Sequence, residues 1–309
     1  MGPFRVWIGV LGAGGAASEE PKMHAFAIVD ETGRITTDGV LDPVPWWSFT
    51  KTVLAIAALR LVEQGALSLD APVEGADYSL AQLLRHEAGL PDYGGLARYH
   101  EDVAARRPPW PVERLLAAID ADRPRYAPGQ GWAYSNIGYR LVGKRIEAAS
   151  DRALGKALTD LVFEPANLTS ARLATRPEDL ADVRMAGDAG YDPGWVYHGL
   201  VTGTAVDAAR LLRALLAGDL LRPETLARMT EGRALPEHRS ALYPDPAYAL
   251  GLMLRAKDPW DHPIGHTGGG PGSDIAVYGQ GGRSCAVWSG LGEGAEPVVT
   301  AAFARLAQA

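Results

Sequence analysis

The chain has 309 residues, 47% hydrophobic and 22% charged, so it is long enough to bury a large core in one domain or two closely packed ones. The 30 lysines and arginines against 37 aspartates and glutamates give a formal net charge of −7. This acidic balance, without any basic run, argues against a nucleic-acid-binding surface. No stretch reaches the ~18–20 apolar residues of a membrane-spanning helix.

The first 23 residues carry two weak signals. MGPFRVWIGVLGAGGAASEE has one arginine and a short apolar run, a poor match to a secretory signal, so we expect a cytoplasmic protein, with export as the alternative. Residues 12–17, GAGGAA, match a loose dinucleotide-binding fingerprint. A crossover helix after this loop would have to fit before a strand at residue 24 and would be interrupted by Pro21, which favours a tight glycine-rich turn.

Strands are predicted near both ends of the chain, with mainly helices between them. Residues 24–30 form a strand, ETGR a turn, and a second short strand follows. Helical spacing of apolar residues after Ser48 predicts a helix that ends near Gly65, and residues 79–84 predict a capped helix that closes at residues 89–91. TAVDAARLLRALLAG predicts another helix, capped by Thr204 and stopped by Gly218.

The last part of the chain returns to strands. AYALGLMLR, DIAVYG and RSCAVWSG predict strands, the last two joined through QGG, and PVVTAAFARLA predicts a closing helix. This order predicts a sheet assembled from distant segments around a helical insertion. The predicted division is an α/β domain formed by residues 1–70 and 201–309, with a mostly helical domain of residues 71–200 inserted.

The segment WWSFTK places Ser48 and Lys51 three residues apart at the start of the first long helix. Positions i and i+3 share a helix face, so the hydroxyl and the amine can meet. A serine hydroxyl needs a neighbouring base, and Lys51 can be that base only if burial lowers its pKa. If Lys51 stays charged, it can lower the pKa of a nearby phenol, which then acts as the base. Taken alone, the tetrapeptide favours a capping serine and a surface lysine.

Two later motifs supply what a nucleophilic serine would need. Tyr134 and Asn136, in AYSN, offer a phenol and an amide on one short turn. In GHTGGGPGSD, His266 and Thr267 precede glycines 268–270, which allow close backbone approach and can present an N–H group to a carbonyl oxygen. Each motif alone also fits an ordinary turn or glycine loop. The sequence has neither a Gly-x-Ser-x-Gly elbow nor histidines at metal-ligand spacing.

Together and in this order, the three motifs resemble those of the serine β-lactamase/penicillin-binding-protein superfamily. More narrowly, the chain resembles the class C-like branch of esterases, D,D-peptidases and D-amino-acid-releasing peptidases. Segments such as LAQLLRHEAGLPDY and YAPGQGWAYSNIGYRLVGKRIE extend the likeness from about residue 24 to the C-terminus. The resemblance implies an antiparallel β-sheet flanked by helices, an inserted, largely helical domain, and a cleft between the two.

The resemblance also implies roles for the first two motifs. Ser48 would be the acylated nucleophile and Lys51 its activating partner. Tyr134 would relay protons in acylation and deacylation, and Asn136 would orient the substrate carbonyl group. Whether Lys51 or Tyr134 takes the serine proton is left open.

The third motif would occupy the place of the family's Lys-Thr-Gly strand. His266, Thr267 and Gly268 would form that strand, and the N–H groups of Ser48 and Gly269 would form the oxyanion hole. Histidine in place of lysine removes a permanent cation that would hold a substrate carboxylate. We expect His266 to titrate near neutral pH and to make carboxylate binding pH-dependent.

The sequence therefore predicts a serine hydrolase that forms an acyl-enzyme on a small ester or a D-configured amide or peptide. A β-lactamase or D,D-carboxypeptidase on the same site is the alternative, and an inactive ligand-binding or scaffold relative is the alternative from another class. Retention of Ser48, Lys51 and Tyr134 argues against the inactive relative. We expect a small-molecule substrate, no metal or organic cofactor, and neither nucleic acid nor membrane as a partner.

Overall fold

The structure is a computed structural model that describes residues 24–186 and 190–308. Its strands are β1 (His24–Val29), β2 (Ile35–Gly39), β3 (Val44–Pro45), β4 (Arg172–Ala174), β5 (Leu200–Gly203), β6 (Arg233–Ala234), β7 (Pro246–Tyr248), β8 (Met253–Arg255), β9 (Ile264–Gly270), β10 (Ser273–Gln280) and β11 (Arg283–Ser289). Its helices are α1 (Thr50–Glu63), α2 (Leu80–Leu84), α3 (Ala97–Ala104), α4 (Val112–Ala118), α5 (Asn136–Ser150), α6 (Leu154–Leu158), α7 (Ala205–Leu216), α8 (Pro223–Thr230) and α9 (Ala295–Ala307). The signal-like segment and the glycine loop at residues 12–17 lie outside the described residues.

The main sheet of the described chain is antiparallel, in the order β2-β1-β11-β10-β9-β8-β7-β6. β1 lies beside β11 with Ala27 opposite Ala286, so distant segments share the centre of the sheet. Successive strand side chains point to opposite faces. Ala27 and Val29 therefore join the core that contains α1 and α7, while Phe26 and Ile28 pack on the side of α9. Helices cover both faces, which confirms the predicted fold class.

The helical insertion packs against the first long helix. Among the helices between β3 and β4, α5 contacts both α1 and α2. A second, three-stranded sheet in the order β3-β5-β4 joins segments from both sides of the predicted division at residues 70 and 200. That division stays a prediction.

Several predicted helix boundaries are confirmed. α1 ends at Glu63, just before Gly65 with φ +75°. The side chain of Thr204 accepts a hydrogen bond from Asp207 N at the start of α7, and Gly218 adopts φ +83° after its end. In the part of the chain that the structure describes, no helix is long and apolar enough to cross a membrane.

Two predicted elements are shorter than expected. AYALGLMLR is a hairpin of β7 and β8 and not one strand, because Gly251 turns the chain with φ +77° and its carbonyl oxygen accepts a hydrogen bond from Thr52 Oγ1 at 2.7 Å. α2 begins at the Ser79 capping box as predicted but ends at Leu84. His86, with φ +61°, leaves the helical conformation five residues before the predicted end at residue 91.

Candidate active site

Ser48 lies on a strained turn that precedes α1. Residues Trp47–Phe49 form a short 3₁₀ turn, and Trp47 has φ +44°, a left-handed conformation that bulky side chains rarely adopt. Such a conformation costs about 1–3 kcal/mol and persists only where its surroundings hold it. The Trp47 indole is held by a hydrogen bond from Nε1 to Ser273 Oγ (3.0 Å) and by edge-to-face contact with Tyr191. The turn leaves Ser48 only 8% exposed, at the wall of a cleft.

Glycines on β9 let this turn sit directly against the main sheet. A Cβ atom on Gly268 would lie 2.5 Å from the carbonyl oxygen of Trp46 and 2.8 Å from the nitrogen of Ser48. A Cβ atom on Gly270 would lie 2.5 Å from the ring of Trp47. These separations are shorter than a side chain tolerates, so the strand reaches the nucleophile turn because both positions are glycine.

Part of one edge of β9 is left open beside Ser48. Within the described residues, β8 pairs with β9 only at Met253 opposite Gly265, whereas β10 covers the other edge as far as Gly270. An open strand edge leaves backbone N–H groups without a ladder partner. Gly269 lines the cleft together with Ser48, so the two residues assigned to an oxyanion hole adjoin the same space.

Lys51 is completely buried one helical turn after Ser48. Its Nζ lies 3.1 Å from Ser48 Oγ, 2.7 Å from Asn136 Oδ1 and 3.2 Å from His198 Nε2. The face of the Tyr134 ring is 4.8 Å away. The structure thus brings together the hydroxyl, amine, phenol and amide that the sequence placed in two separate motifs.

Burial controls the protonation of Lys51. Removing an amine from water disfavours its ammonium form, and the pKa of Lys51 therefore lies well below its usual range. The carboxyl group of Asp92 acts in the opposite direction, but Asp92 is itself buried and burial raises its pKa. A neutral amine beside Ser48 can accept the hydroxyl proton.

Asp92 orients Asn136. Its carboxylate accepts hydrogen bonds from Asn136 N (2.7 Å), Asn136 Nδ2 (3.2 Å) and Gly94 N (3.0 Å). Because the amide nitrogen faces Asp92, the amide oxygen faces Lys51. Ser135 caps α5 by accepting a hydrogen bond from Gly138 N, and this cap places Asn136 at the first position of the helix.

Tyr134 stands beside the same amine with its hydroxyl buried. The ring packs against His86, whose Nδ1 accepts a hydrogen bond from Ser135 N, so the loop before α5 is fixed. Burial raises the pKa of Tyr134, and the nearby Ser48 hydroxyl opposes this rise. The Tyr134 hydroxyl is buried near that of Ser48, and a neutral phenol in this place can donate a proton to a departing group.

These side chains line a cleft of about 320 Å³ with two contrasting walls. We call the polar wall the set formed by Ser48, Asp92, Tyr134, Asn136 and His198. We call the aromatic wall the set formed by Trp47, Tyr93, Tyr99, Val103, Tyr191 and Val196. The two walls suit a reacting carbonyl group with an apolar substituent.

Comparisons with known proteins assign this arrangement to a family. The family model described as Beta-lactamase matches residues 40–309. The chain belongs to the Beta-lactamase family. It is 25% identical to lovastatin esterase of Penicillium rubens, over 79% of this chain and 73% of that protein. It is 27% identical to Esterase EstB of Burkholderia gladioli over 58% of each protein, so it spans less than two thirds of EstB.

A solved structure extends the likeness to the fold. A D-stereospecific amidohydrolase from Streptomyces sp. superimposes with a TM-score of 0.78 at 26% identity, covering 91% of this chain and 93% of that one. Together with the named esterases, this places the chain among the serine hydrolases of the Beta-lactamase family.

His266 differs from the expectation. The side chain is fully buried, and its Nε2 lies 2.9 Å from the hydroxyl of Tyr248. Burial, with a smaller contribution from Lys51, lowers the pKa of His266 to about 3. The prediction that His266 titrates near neutral pH is therefore wrong, and this member of the Beta-lactamase family has no cation at that position for a substrate carboxylate.

The other predicted site residues of the third motif, Thr267, Gly268 and Gly269, do not all line the cleft. Thr267 and Gly268 line a much smaller cavity beside Ser48, and the Thr267 hydroxyl is directed to Met253 Sδ at 3.6 Å. Gly269 alone of the motif's predicted site residues also lines the cleft.

Asp92 was missed as a site residue. For His198, in the loop of residues 185–200, the sequence leaves open whether the side chain lines the cleft or packs in the core, and it predicts no chemical role. Asp92 lies in the quoted segment LAQLLRHEAGLPDY, and His198 is 147 residues from Lys51 in sequence. A carboxylate directly after the predicted helix end at residues 89–91 was the available signal for Asp92. For His198 no spacing rule applies, because its contact with Lys51 exists only in the folded chain.

Proposed function

We propose that this serine hydrolase forms an acyl-enzyme at Ser48 and acts on a small, uncharged ester or D-configured amide. The observation that carries the proposal is the buried Lys51 amine 3.1 Å from Ser48 Oγ. Burial lowers the pKa of a lysine, so that its amine is largely neutral near pH 7. A neutral amine has a lone pair and can accept the serine proton.

The geometry supports a division of labour between the two candidate bases. Lys51, held neutral by burial, takes the Ser48 proton as Oγ attacks the substrate carbonyl carbon. The oxygen that becomes negative lies near the N–H groups of Ser48 and Gly269. Tyr134, kept as a phenol by its raised pKa, donates its proton to the leaving group and regains one from Lys51. Water then cleaves the Ser48 ester by the reverse sequence of proton transfers.

The charge of the cleft favours an uncharged substrate. Among the described residues that line it there is neither arginine nor lysine, and His266 is neutral. β-Lactams and the C-termini of D-alanyl peptides carry a carboxylate, which would enter this cleft without a cationic partner. Two esterases and a D-stereospecific amidohydrolase are among the similar proteins, and their names agree with an ester or D-amide substrate.

Labelling with a fluorophosphonate, followed by intact-mass measurement, tests the nucleophile. The wild type should gain one adduct, and Ser48→Ala should gain none. Ser68→Ala is the matched control, because Ser68 is an exposed serine that only accepts a hydrogen bond from Ala71 N. Equal labelling of wild type and Ser48→Ala, or no labelling of either, would show that the assignment is wrong.

Steady-state kinetics test the substrate class. A short-chain p-nitrophenyl ester and N-acetyl-D-phenylalanine amide should be turned over with larger kcat/KM values than N-acetyl-L-phenylalanine amide or a chromogenic cephalosporin. Faster turnover of the cephalosporin would contradict the proposal, and binding of all four without turnover would point to the inactive relative.

A further inference from the structure

His198 occupies a position that the proposed reaction does not yet use. It lies just before β5, is 5% exposed, and lines the cleft on the polar wall. Its Nε2 is 3.2 Å from Lys51 Nζ, whereas its buried Nδ1 has no hydrogen-bond partner among the described residues. A buried imidazole that touches the reacting amine through one nitrogen, with the other unpaired, calls for a reason beyond packing.

The contact between His198 and Lys51 decides whether the lone pair of the amine is free to accept the Ser48 proton. A neutral amine has two N–H groups and one lone pair. Asn136 Oδ1, fixed by Asp92, can only accept, so it takes one N–H of Lys51. If His198 accepts the second N–H, the lone pair is left for the Ser48 hydroxyl. If His198 donates instead, the lone pair is occupied and Lys51 cannot take the serine proton.

We infer that His198 is a positioning residue for Lys51: its Nε2 accepts a hydrogen bond from the amine and thereby directs the lone pair at Ser48 Oγ. The same acceptor serves after the proton has moved. When the Ser48 O–H bond breaks and its proton joins Lys51, the new ammonium has three N–H groups, and His198 Nε2 and Asn136 Oδ1 accept two of them. The third stays directed at the Ser48 oxygen. The inference rests on the proposed function.

The surroundings of His198 keep its imidazole neutral, as an acceptor must be. Burial lowers the pKa of His198, and the positive charges that Lys51, His266 and His86 can carry lower it further. The titratable groups that face this cluster are Lys51 on α1, His86 after α2, Asp92 before α3, Tyr134 and Tyr139 around the start of α5, and His266 on β9. Asp92 is the one acid among them, and it is bound to Asn136.

The rate of Ser48 acylation between pH 5 and 10 tests the inference, with His198→Leu and His198→Gln compared with wild type. Loss of a hydrogen bond to a charged group should lower the maximal rate in His198→Leu about 10- to 100-fold. The acid limb of the pH–rate profile of this variant should move to lower pH. The reason is that the ammonium form of Lys51 loses a hydrogen-bond acceptor, so the pKa of Lys51 falls. In His198→Gln the amide oxygen can take the place of Nε2, so both the maximal rate and the position of the acid limb should return to the wild-type values.

Further variants keep the test decisive. His198→Asn, whose amide oxygen stops short of the Nε2 position, should behave as His198→Leu and replaces it if His198→Leu does not fold. The partly exposed His24, changed to Gln, is the matched control and should leave the profile unchanged.

Two outcomes would overturn the inference: a wild-type rate in His198→Leu, or equal rate losses in all three His198 variants with unmoved acid limbs. Both are distinct from failure of the proposed function, in which the wild type itself shows no labelling that depends on Ser48.

Discussion

The two walls of the cleft are built on different physical principles. On the polar wall, residues from distant segments are fixed by hydrogen bonds that converge on Lys51 and Asp92. On the aromatic wall, rings pack edge to face and place their polar atoms away from the cleft, as Tyr99 does in donating to the carbonyl oxygen of Trp195 at 2.9 Å. Hydrogen bonds fix atoms at one distance and angle, whereas packed rings set a volume. The first wall therefore suits bond making, and the second suits substrate choice.

The largest expected effect comes from removing the centre of the polar wall. Lys51→Met keeps the unbranched chain as far as Cε but removes the proton acceptor, so acylation of Ser48 should slow by about 10³-fold or more. Because the variant also removes an amine that is costly to bury, its thermal unfolding midpoint should stay equal to that of wild type or rise. Stopped-flow acylation and calorimetry measure the two quantities.

Lys144→Met is the control for this change, because Lys144 is an exposed lysine on α5 that pairs with Glu147. It should alter neither quantity. If Lys51→Met changes only KM for an ester, Lys51 is a structural charge, and the polar wall does not carry out proton transfer through it.

The buried histidines behind the polar wall should make stability depend on pH. The pKa of His266 falls from 6.5 in the unfolded chain to about 3 in the fold, so below pH 6.5 the unfolded state binds a proton that the folded state excludes. The free energy of unfolding should decrease as pH falls from 6.5, by up to about 1.4 kcal/mol per pH unit for each such histidine. His86 and His198 act in the same direction.

Urea unfolding at pH 7.5, 6.5 and 5.5 measures this slope. His266→Gln, which can still meet the Tyr248 hydroxyl, should flatten this slope, whereas His24→Gln, at a partly exposed position, should not. An unchanged slope in His266→Gln would show that His266 is protonated in the fold.

The smallest expected effect is on the aromatic wall. Tyr99→Leu removes a ring that packs 4.9 Å from that of Tyr93, and kcat/KM for a phenylacetyl ester should fall about tenfold relative to an acetyl ester. Tyr99→Phe keeps the ring and loses only the hydrogen bond to Trp195, which costs about 1 kcal/mol of stability without changing that ratio. Equal losses on both esters in Tyr99→Leu would mean that this wall does not select the acyl group.

The two walls also differ in how far the sequence predicts them. Ser48 and Lys51 are three residues apart where the chain enters α1, and that spacing alone predicts that their side chains can meet. Tyr134 and Asn136 were singled out as a phenol and an amide on one short turn, and the family resemblance supplied their roles. The sequence could not assign His198 to Lys51, since that contact depends on the small sheet that holds β5. For His266 the position in the motif was predicted but its titration was not, because the sequence does not show whether the fold buries the side chain.

The fold, too, could be predicted from the sequence only in part. Alternating strands and capped helices are local patterns, and most were predicted correctly. The hairpin in AYALGLMLR was not, because a glycine in an apolar run looks like part of a strand until Thr52 binds its carbonyl oxygen.

The left-handed turn at Trp47 has a consequence for the order in which the protein is made. Ser48 and its helix leave the ribosome early, but the turn is held by Ser273 and by the glycines of β9, more than 200 residues later. A nascent or truncated chain that lacks this strand has the serine and the lysine without the support that the strained backbone requires. Hydrolytic competence would then arise only after β9 and Ser273 on β10 have been made and have folded against the turn.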